Sequence, residues 1–171
     1  MKTTTLCFLI KENSGNTEVC LAKKKRGGAK GKWNGFGGKV GDKVKGETIR
    51  EGLIREGKEE FGIEVENPTK IAEVKFTFDD SKNAFDNYCH VFLSTEWKGD
   101  PTESEEMAPD WFALEKIPWN KMWESDVVYL KPLLTENKFL KAEIVFINNE
   151  TFNLNRSTLE WFDENPFPAM L

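Results

Sequence analysis

The sequence is poor in the residues that carry most nucleophilic, acid–base and zinc chemistry. It has one histidine and three cysteines, and Cys7, Cys20 and Cys89 are unclustered and lie in apolar stretches. Disulfides and zinc sites need paired or clustered cysteines, so we expect three buried thiols in a reducing cytoplasm instead. His90 falls inside a predicted strand, and we interpret it as a structural residue because lone strand histidines are seldom catalysts.

Long apolar runs and an excess of positive charge are also missing. No segment approaches the roughly 20 apolar residues of a membrane span. The apolar stretch near the N-terminus is too short for a signal peptide and lacks its cleavage site. The net charge is −5, so the chain as a whole does not attract polyanions. We therefore expect a cytoplasmic protein without a membrane partner, which needs a metal ion or a local basic patch to handle phosphates.

The composition is that of a single soluble domain. The 171 residues are 39% hydrophobic and 31% charged, and a chain of this length can bury its own core. Apolar periodicity predicts strands over 3–11, 18–24, 71–79, 87–95, 138–147 and 150–154, with turns over 13–16 and 80–83 and a loop over 97–112. It predicts helices over 48–61 and 126–135, the second broken early by Pro132. The apolar tail over 159–171 should pack on this domain, and a partner contact is the alternative.

The first predicted helix carries a dense run of carboxylates. Glu56, Glu59 and Glu60 are three and four positions apart, so their side chains converge on one helix face. Three like charges weaken a helix unless a cation lies among them, and oxygen ligands favour Mg²⁺ or Mn²⁺ over zinc. The alternative is an ordinary solvated acidic face.

The spacing around these glutamates resembles the signature of the Nudix hydrolases, which cleave nucleoside diphosphates linked to another moiety. The signature covers residues 41–63, and the matching positions are Gly41, Glu47, Arg55, Glu56, Glu59, Glu60, Gly62 and Ile63. Gly57 stands where an aliphatic residue is usual. A glycine inside a helix costs about 1 kcal/mol relative to alanine. It also lets a neighbouring element approach, so we interpret it as a packing variation.

Outside the signature, the chain is similar to the MutT branch, and in particular to the animal-type hydrolases of oxidised purine nucleoside triphosphates. The similar segments are KKRG at 24–27, WNGFGGKV at 33–40, EEMAPDWF at 105–112 and IPWNKMW at 117–123. The resemblance covers about 4–154 and implies an α/β fold, an α/β/α sandwich around a mixed sheet. It implies Mg²⁺-dependent conversion of substrates such as 8-oxo-dGTP or 2-oxo-dATP to monophosphate and pyrophosphate. We expect a monomer without a stable nucleic-acid partner.

The resemblance also implies roles for individual residues. Glu56, Glu59 and Glu60 would hold the metal, and Glu106 would be an added ligand or a base. Arg55 would orient these carboxylates and Lys24 would face the phosphates. The carbonyl of Gly38 would be a further metal ligand, with Gly41 as its rival, because the Gly-Gly pair at 37–38 lies three residues further from Glu47 than in the relatives. The residues implied to line or read the base pocket are Thr5, Leu6, Asn34, Phe76, Phe78, Trp123 and Asp126.

Two departures from the relatives affect the base pocket. Glu124, Ser125 and Asp126 stand where two adjacent aspartates are expected, and an extra residue precedes Pro132. Glu124 therefore rivals Asp126 as the acidic residue that reads the base. Gly28 replaces an aromatic residue and is expected to widen the pocket. It lies in the basic loop 23–32, which could bind nucleic acid, clamp phosphates or remain solvated.

Three other functions remain open on the sequence alone. The chain could act on RNA 5′ ends, which the basic loop supports and the lack of an extended basic face opposes. It could act on another nucleotide, such as a sugar nucleotide or a dinucleoside polyphosphate. A non-catalytic binding module would need a lost catalytic glutamate, whereas Glu56, Glu59 and Glu60 are all present.

Overall fold

A computed structural model of the chain describes residues 1–79, 85–147 and 151–169. Its strands are β1 (Lys2–Asn13), β2 (Asn16–Lys24), β3 (Trp33–Asn34), β4 (Glu64–Glu66), β5 (Thr69–Phe78), β6 (Asn87–Ser94), β7 (Glu96–Lys98), β8 (Met107–Ala113), β9 (Phe139–Ile147), β10 (Thr151–Phe152) and β11 (Thr158–Phe162). Its α-helices are α1 (Ile49–Glu56) and α2 (Asp126–Thr135). The turn predicted over 80–83 and residue 150 of a predicted strand lie outside the described residues.

Most of the strands form one mixed sheet. Its order is β10-β9-β5-β6-β1-β2-β3, with β8 also paired to β2 and β11 to β9. The pairs β1–β6 and β5–β9 are parallel, and β1–β2 and β5–β6 are antiparallel. The strands predicted over 3–11 and 18–24 therefore pair with each other, as do those predicted over 71–79 and 87–95. β4 and β7 form a separate two-stranded sheet.

Alternation along the central strands gives the sheet two buried faces. Cys7 and Leu9 of β1 pack in one cluster with Leu53 of α1, whereas Phe8 packs in another with Leu130 of α2. The helices therefore lie on opposite faces, and the expected α/β/α sandwich is confirmed. The three cysteines are buried and free, as predicted. No helix in the described part of the chain is long and apolar enough to cross a membrane.

The sequence predicted one continuous α-helix over 48–61, but the structure divides this segment into α1 and a π-helical turn. It begins at a capping box, in which the Thr48 side chain accepts from the Glu51 backbone N–H and the Glu51 carboxylate accepts from the Thr48 N–H. After Glu56 the chain continues as a π-helical turn over Gly57–Phe61, and Gly62 ends it with φ of 70°. Gly57 fits this packing, since a Cβ there would lie only 3.3 Å from the Phe36 ring.

Three other predictions about local structure are wrong. The segment predicted as a loop over 97–112 contains β7 and β8, and β8 pairs along the whole of 18–24 in β2. Pro132 does not break α2, because Leu133 and Leu134 beyond it are buried and hold the last turn. The last predicted strand is reduced to β10, and β11, which pairs with β9, was missed. β11 and buried Phe167 bring part of the expected C-terminal tail against the sheet.

Candidate active site

The glutamates of the signature surround an acidic pocket of about 250 Å³. Glu56 comes from the end of α1, and Glu59 and Glu60 from the π-helical turn. The other lining residues are Lys24, Gly37, Gly38, Lys39, Asp42, Lys43 and Glu106. The structure thus brings together the predicted metal ligands, Glu106 and the predicted phosphate-facing lysine. Lys43, which lies in the loop between the Gly-Gly pair at 37–38 and Glu47, was not predicted from the sequence as a residue of this pocket.

Arg55 fixes the orientation of the carboxylates around it. Its guanidinium donates from Nε and Nη2 to the two oxygens of Glu47 at 2.7 and 3.0 Å. Its Nη1 donates to Glu56 Oε1 at 2.7 Å and to Glu59 Oε2 at 3.3 Å, and its Nη2 donates to the Lys39 carbonyl at 2.9 Å. The hydrogen bonds from Arg55 are the main cause that lowers the pKa of Glu47. These hydrogen bonds allow Arg55 to orient the carboxylates, and that role stays a prediction.

Glu60 is the most deeply buried carboxylate of the pocket. Its side chain is 6% exposed, and burial, with repulsion from Glu56 and Glu106, raises its pKa. The Gly37 N–H donates to its Oε2 at 2.9 Å, and Lys24 Nζ lies 3.7 Å from its Oε1. Lys24 Nζ also lies 3.8 Å from Glu106. Lys24 is therefore shared between Glu60 and Glu106, and Glu106 also pairs with Arg26.

The donor set of this pocket fits a hard divalent cation, although the side chains are not arranged as a finished metal site. Within the described residues, no three acidic, histidine or cysteine side chains form a ready metal cluster. Glu56 is paired with Arg55 and Glu59 with Lys43. All the donors are oxygen atoms, as Mg²⁺ and Mn²⁺ prefer. Gly38 leaves the space for Glu56, since a Cβ there would lie 2.4 Å from Glu56 Oε1.

The Gly38 carbonyl is only partly available as a ligand. It accepts the backbone N–H of Thr5 at 2.8 Å, and the Thr5 hydroxyl is a second, weak donor at 3.5 Å that a metal ion would displace. Gly38 lines the acidic pocket. The rival, Gly41, is not among the residues that line this pocket, and its N–H donates to Glu47 at 3.0 Å. The geometry thus favours Gly38 over Gly41, and metal ligation by either residue stays a prediction.

A second cavity, largely apolar and also of about 250 Å³, lies on the α2 face of the sheet. We call it the base cavity. The predicted pocket residues Thr5, Leu6, Asn34, Phe76, Phe78, Trp123 and Asp126 all line it, together with Asn87, Cys89, Ser125, Tyr129 and Phe146. The last five were not predicted, because they come from β6, from α2 and the residue before it, and from β9, which the sequence could not place beside one another.

Aromatic rings form the walls of the base cavity. Phe78 and Phe146 stack with ring centroids 5.0 Å apart and an interplanar angle of 8°. Trp123 meets Phe146 edge-on at 6.4 Å, and Lys32 Nζ lies 4.7 Å from the centre of the Trp123 ring. Flat apolar walls of this kind suit a planar ring system such as a nucleobase.

Asp126 is a buried carboxylate at the polar end of the base cavity. It is 2% exposed, and burial raises its pKa to about 7. The Trp123 backbone N–H donates to its Oδ2 at 2.9 Å, and the Tyr129 hydroxyl also bonds to it. Glu124 instead accepts the Phe152 N–H at 3.3 Å and lines an outer cavity with Gly28 and Lys32. The structure therefore favours Asp126 over Glu124 as the acidic residue of the base cavity.

The acidic pocket and the base cavity adjoin through one pair of residues. Thr5 lines the base cavity and Gly38 lines the acidic pocket. The Thr5 N–H donates to the Gly38 carbonyl across neighbouring backbones at 2.8 Å. The two pockets are therefore neighbours, with this pair of backbones between them.

Part of the basic loop pairs with a neighbouring loop, and the lone histidine is buried in the sheet. Lys25 Nζ donates to the Ser104 carbonyl at 2.7 Å, and Arg26 pairs with Glu105 and Glu106. Lys25 and Arg26 are thus paired with the acidic loop before β8. His90 is buried in β6 with its Nδ1 3.5 Å from Glu73, away from both pockets.

Comparisons with known proteins agree with this geometry. The family model described as NUDIX domain matches residues 2–132. The oxidized purine nucleoside triphosphate hydrolases of Danio rerio and Mus musculus are 43% and 44% identical over 122 and 121 residues, which are 71% of this chain and 75% and 74% of theirs. The crystal structure of a MutT protein from Bacillus halodurans has a TM-score of 0.77 at 25% identity, covering 94% of this chain and 98% of that one.

Proposed function

The chain belongs to the Nudix family, and from that premise we propose that it hydrolyses oxidised purine nucleoside triphosphates to monophosphate and pyrophosphate. The observation that carries the proposal is the junction of an aromatic base cavity with an acidic pocket at Thr5 and Gly38. The animal relatives that are 43% and 44% identical are named for this activity, which supports the same substrate class here.

In this proposal, each pocket binds one end of the substrate. The purine lies between the aromatic walls of the base cavity, where Trp123 offers a stacking surface that tolerates different bases. Asn34 and Asp126 supply the polar contacts that orient the ring. The triphosphate extends past Thr5 into the acidic pocket, where Lys24 faces it. Stacking holds the base, and the polar contacts discriminate between bases because unpaired groups would penalise a wrong one.

The carboxylates of the acidic pocket prepare the site for hydrolysis. Glu56, Glu59 and Glu60 would hold Mg²⁺ or Mn²⁺, and a bound divalent ion neutralises phosphate oxygens and lowers the pKa of a water ligand. Arg55 keeps Glu56 and Glu59 in place for that task. Glu106 lies across the pocket and can take the proton of the attacking water. Positioning and charge stabilisation therefore do most of the work in this type of reaction.

A nucleotide panel tests the proposal. With Mg²⁺, the protein should convert 8-oxo-dGTP faster than dGTP, and excess EDTA should stop the reaction. The alternative substrates in the panel are 2-oxo-dATP, O6-methyl-dGTP, ADP-ribose and triphosphorylated RNA. The products should be monophosphate and pyrophosphate. The folded Glu56→Gln variant is the control, because an amide cannot replace a charged ligand. Release of orthophosphate first, or full activity of Glu56→Gln, would exclude the proposed reaction.

A further inference from the structure

We propose that the hydroxyl of Ser125 hydrogen-bonds directly to the polar edge of the purine in the base cavity, which makes Ser125 a specificity-determining residue. The inference rests on the proposed function, since it assumes that a purine occupies that cavity. In the sequence this serine stands between the two acidic residues considered for base recognition, and its place before a predicted helix indicates only a helix cap.

The first observation is an unpartnered polar atom. Ser125 is 1% exposed and lines the base cavity. Its Oγ is buried and has no hydrogen-bond partner among the described residues. Buried hydroxyls nearly always have a partner, because leaving one unpaired is less favourable than placing an alanine at the same site. An unpaired hydroxyl on the wall of a cavity is explained if a ligand supplies the missing partner.

The second observation is that Ser125 does not perform the structural role of its position. It is the residue before α2, where a serine side chain usually accepts a backbone N–H of the first helical turn. Here the side chain makes no capping bond, and only the Ser125 carbonyl is used, accepting from Val128 N at 3.0 Å and Tyr129 N at 3.1 Å. The hydroxyl is thus not needed to begin the helix.

The third observation is that two other polar side chains of the cavity, Asp126 and Asn34, are already partly engaged, whereas Ser125 is not. Asp126 receives the Trp123 N–H and bonds with the Tyr129 hydroxyl. The Asn34 Oδ1 accepts the Gly35 N–H at 2.8 Å. The Ser125 hydroxyl has its full capacity left, and it can donate to a ring nitrogen or carbonyl oxygen or accept from an amino group. Serine has a single side-chain torsion with staggered positions, so its hydroxyl can turn towards a bound base.

The test compares Ser125→Ala with a buried serine that has partners. Ser94 is 2% exposed and its hydroxyl donates to the carbonyls of Glu66 and Glu96 at 2.8 and 2.7 Å. Ser94→Ala should lower the melting temperature and leave kcat/KM for 8-oxo-dGTP unchanged. Ser125→Ala should leave the melting temperature unchanged or higher, and should lower kcat/KM by about 3- to 10-fold, the range of one hydrogen bond.

A binding measurement identifies the contact and separates the two proposals. The affinity for 8-oxo-dGMP and for 8-oxo-dIMP, which lacks the 2-amino group, is measured calorimetrically for the wild type, Ser125→Ala and Trp123→Ala. If the wild type binds neither nucleotide, the proposed function itself fails, and the Ser125 inference with it. If Trp123→Ala weakens binding and Ser125→Ala does not, only the Ser125 inference is overturned. If Ser125→Ala lowers the affinity for one nucleotide more than for the other, the Ser125 inference is supported, and the difference between the two nucleotides locates the contact on the base.

Discussion

The buried carboxylate of Asp126 should make the stability of the protein depend on pH in an unusual direction. Most native carboxylates are stabilised in their charged form and lose stability in acid. Asp126 is fully enclosed beside Tyr129, and burial raises its pKa from 3.8 to about 7 although the Trp123 N–H and Lys32 oppose that rise. Folding therefore favours the protonated form of this side chain.

The sign and size of the effect follow from proton linkage. Between pH 4 and pH 7 the unfolded chain has lost the Asp126 proton and the folded chain has kept it. Through this group, each pH unit in this interval lowers the free energy of unfolding by about 1.4 kcal/mol. The accumulated loss is about 4 kcal/mol at pH 7, and it changes little at higher pH. Asparagine has no proton to lose, so Asp126→Asn should become progressively more stable relative to the wild type as pH rises.

Urea unfolding of both proteins, followed by tryptophan fluorescence from pH 4.5 to pH 8, measures this difference. Subtracting the two free energies at each pH cancels the titration of all other groups that the substitution leaves undisturbed. The matched control is Glu124→Gln, which removes an exposed carboxylate two residues away. A difference between Asp126→Asn and wild type that is flat over this range, or that falls as pH rises, would refute the assignment of Asp126 as a buried protonated acid.

The remaining predictions concern the acidic pocket. Glu60→Gln should lower kcat by about 100-fold, the order seen when one electrostatic group of an active site is removed. It should also weaken Mn²⁺ binding measured by calorimetry. An unchanged Mn²⁺ affinity would argue against Glu60 as a metal ligand. Gly38→Ala should abolish turnover in a folded protein because its Cβ would lie 2.4 Å from Glu56 Oε1, whereas Gly28→Ala, whose Cβ meets open space, should leave the melting temperature unchanged. Arg55→Lys should cost about 2 kcal/mol in urea unfolding, since lysine cannot make the paired hydrogen bonds of a guanidinium; a loss near zero would mean that the Arg55 contacts are only surface pairs.

The sequence predicted the acidic pocket well because its residues are close together in the chain. Glu56, Glu59 and Glu60 lie within two helical turns, so their spacing alone indicates a shared position. The base cavity was predicted only through resemblance to a family, since Thr5, Phe76 and Trp123 are brought together by the sheet order. Ser125 has a local signal, a serine directly before a predicted helix, but that pattern indicates a helix cap and gives no sign that the cap is not made.

The errors in local structure come from tertiary contacts that override local signals. The segment over 107–113 contains Pro109 and polar residues and has a weak strand pattern, yet it forms β8 because β2 offers it an open edge along seven residue pairs. Pro132 is a helix breaker by its chemistry, but burial of Leu133 and Leu134 outweighs the hydrogen bond that it removes. Local preference is weak next to burial of this kind.

The π-helical turn shows how such an override bears on the site. A regular α-helix through 48–61 would set Glu56 and Glu60 one turn apart on the same stripe. In the structure the helix widens at Gly57, where Phe36 and Val65 pack so closely that a Cβ would meet them at 3.3 and 3.4 Å. Glu60 then turns inward to the Gly37 N–H, while Glu59 stays 39% exposed beside Lys43. The glycine that departs from the family pattern therefore lies at the point where the carboxylates divide between the floor and the rim of the pocket, and π turns at functional sites commonly reposition side chains in this way.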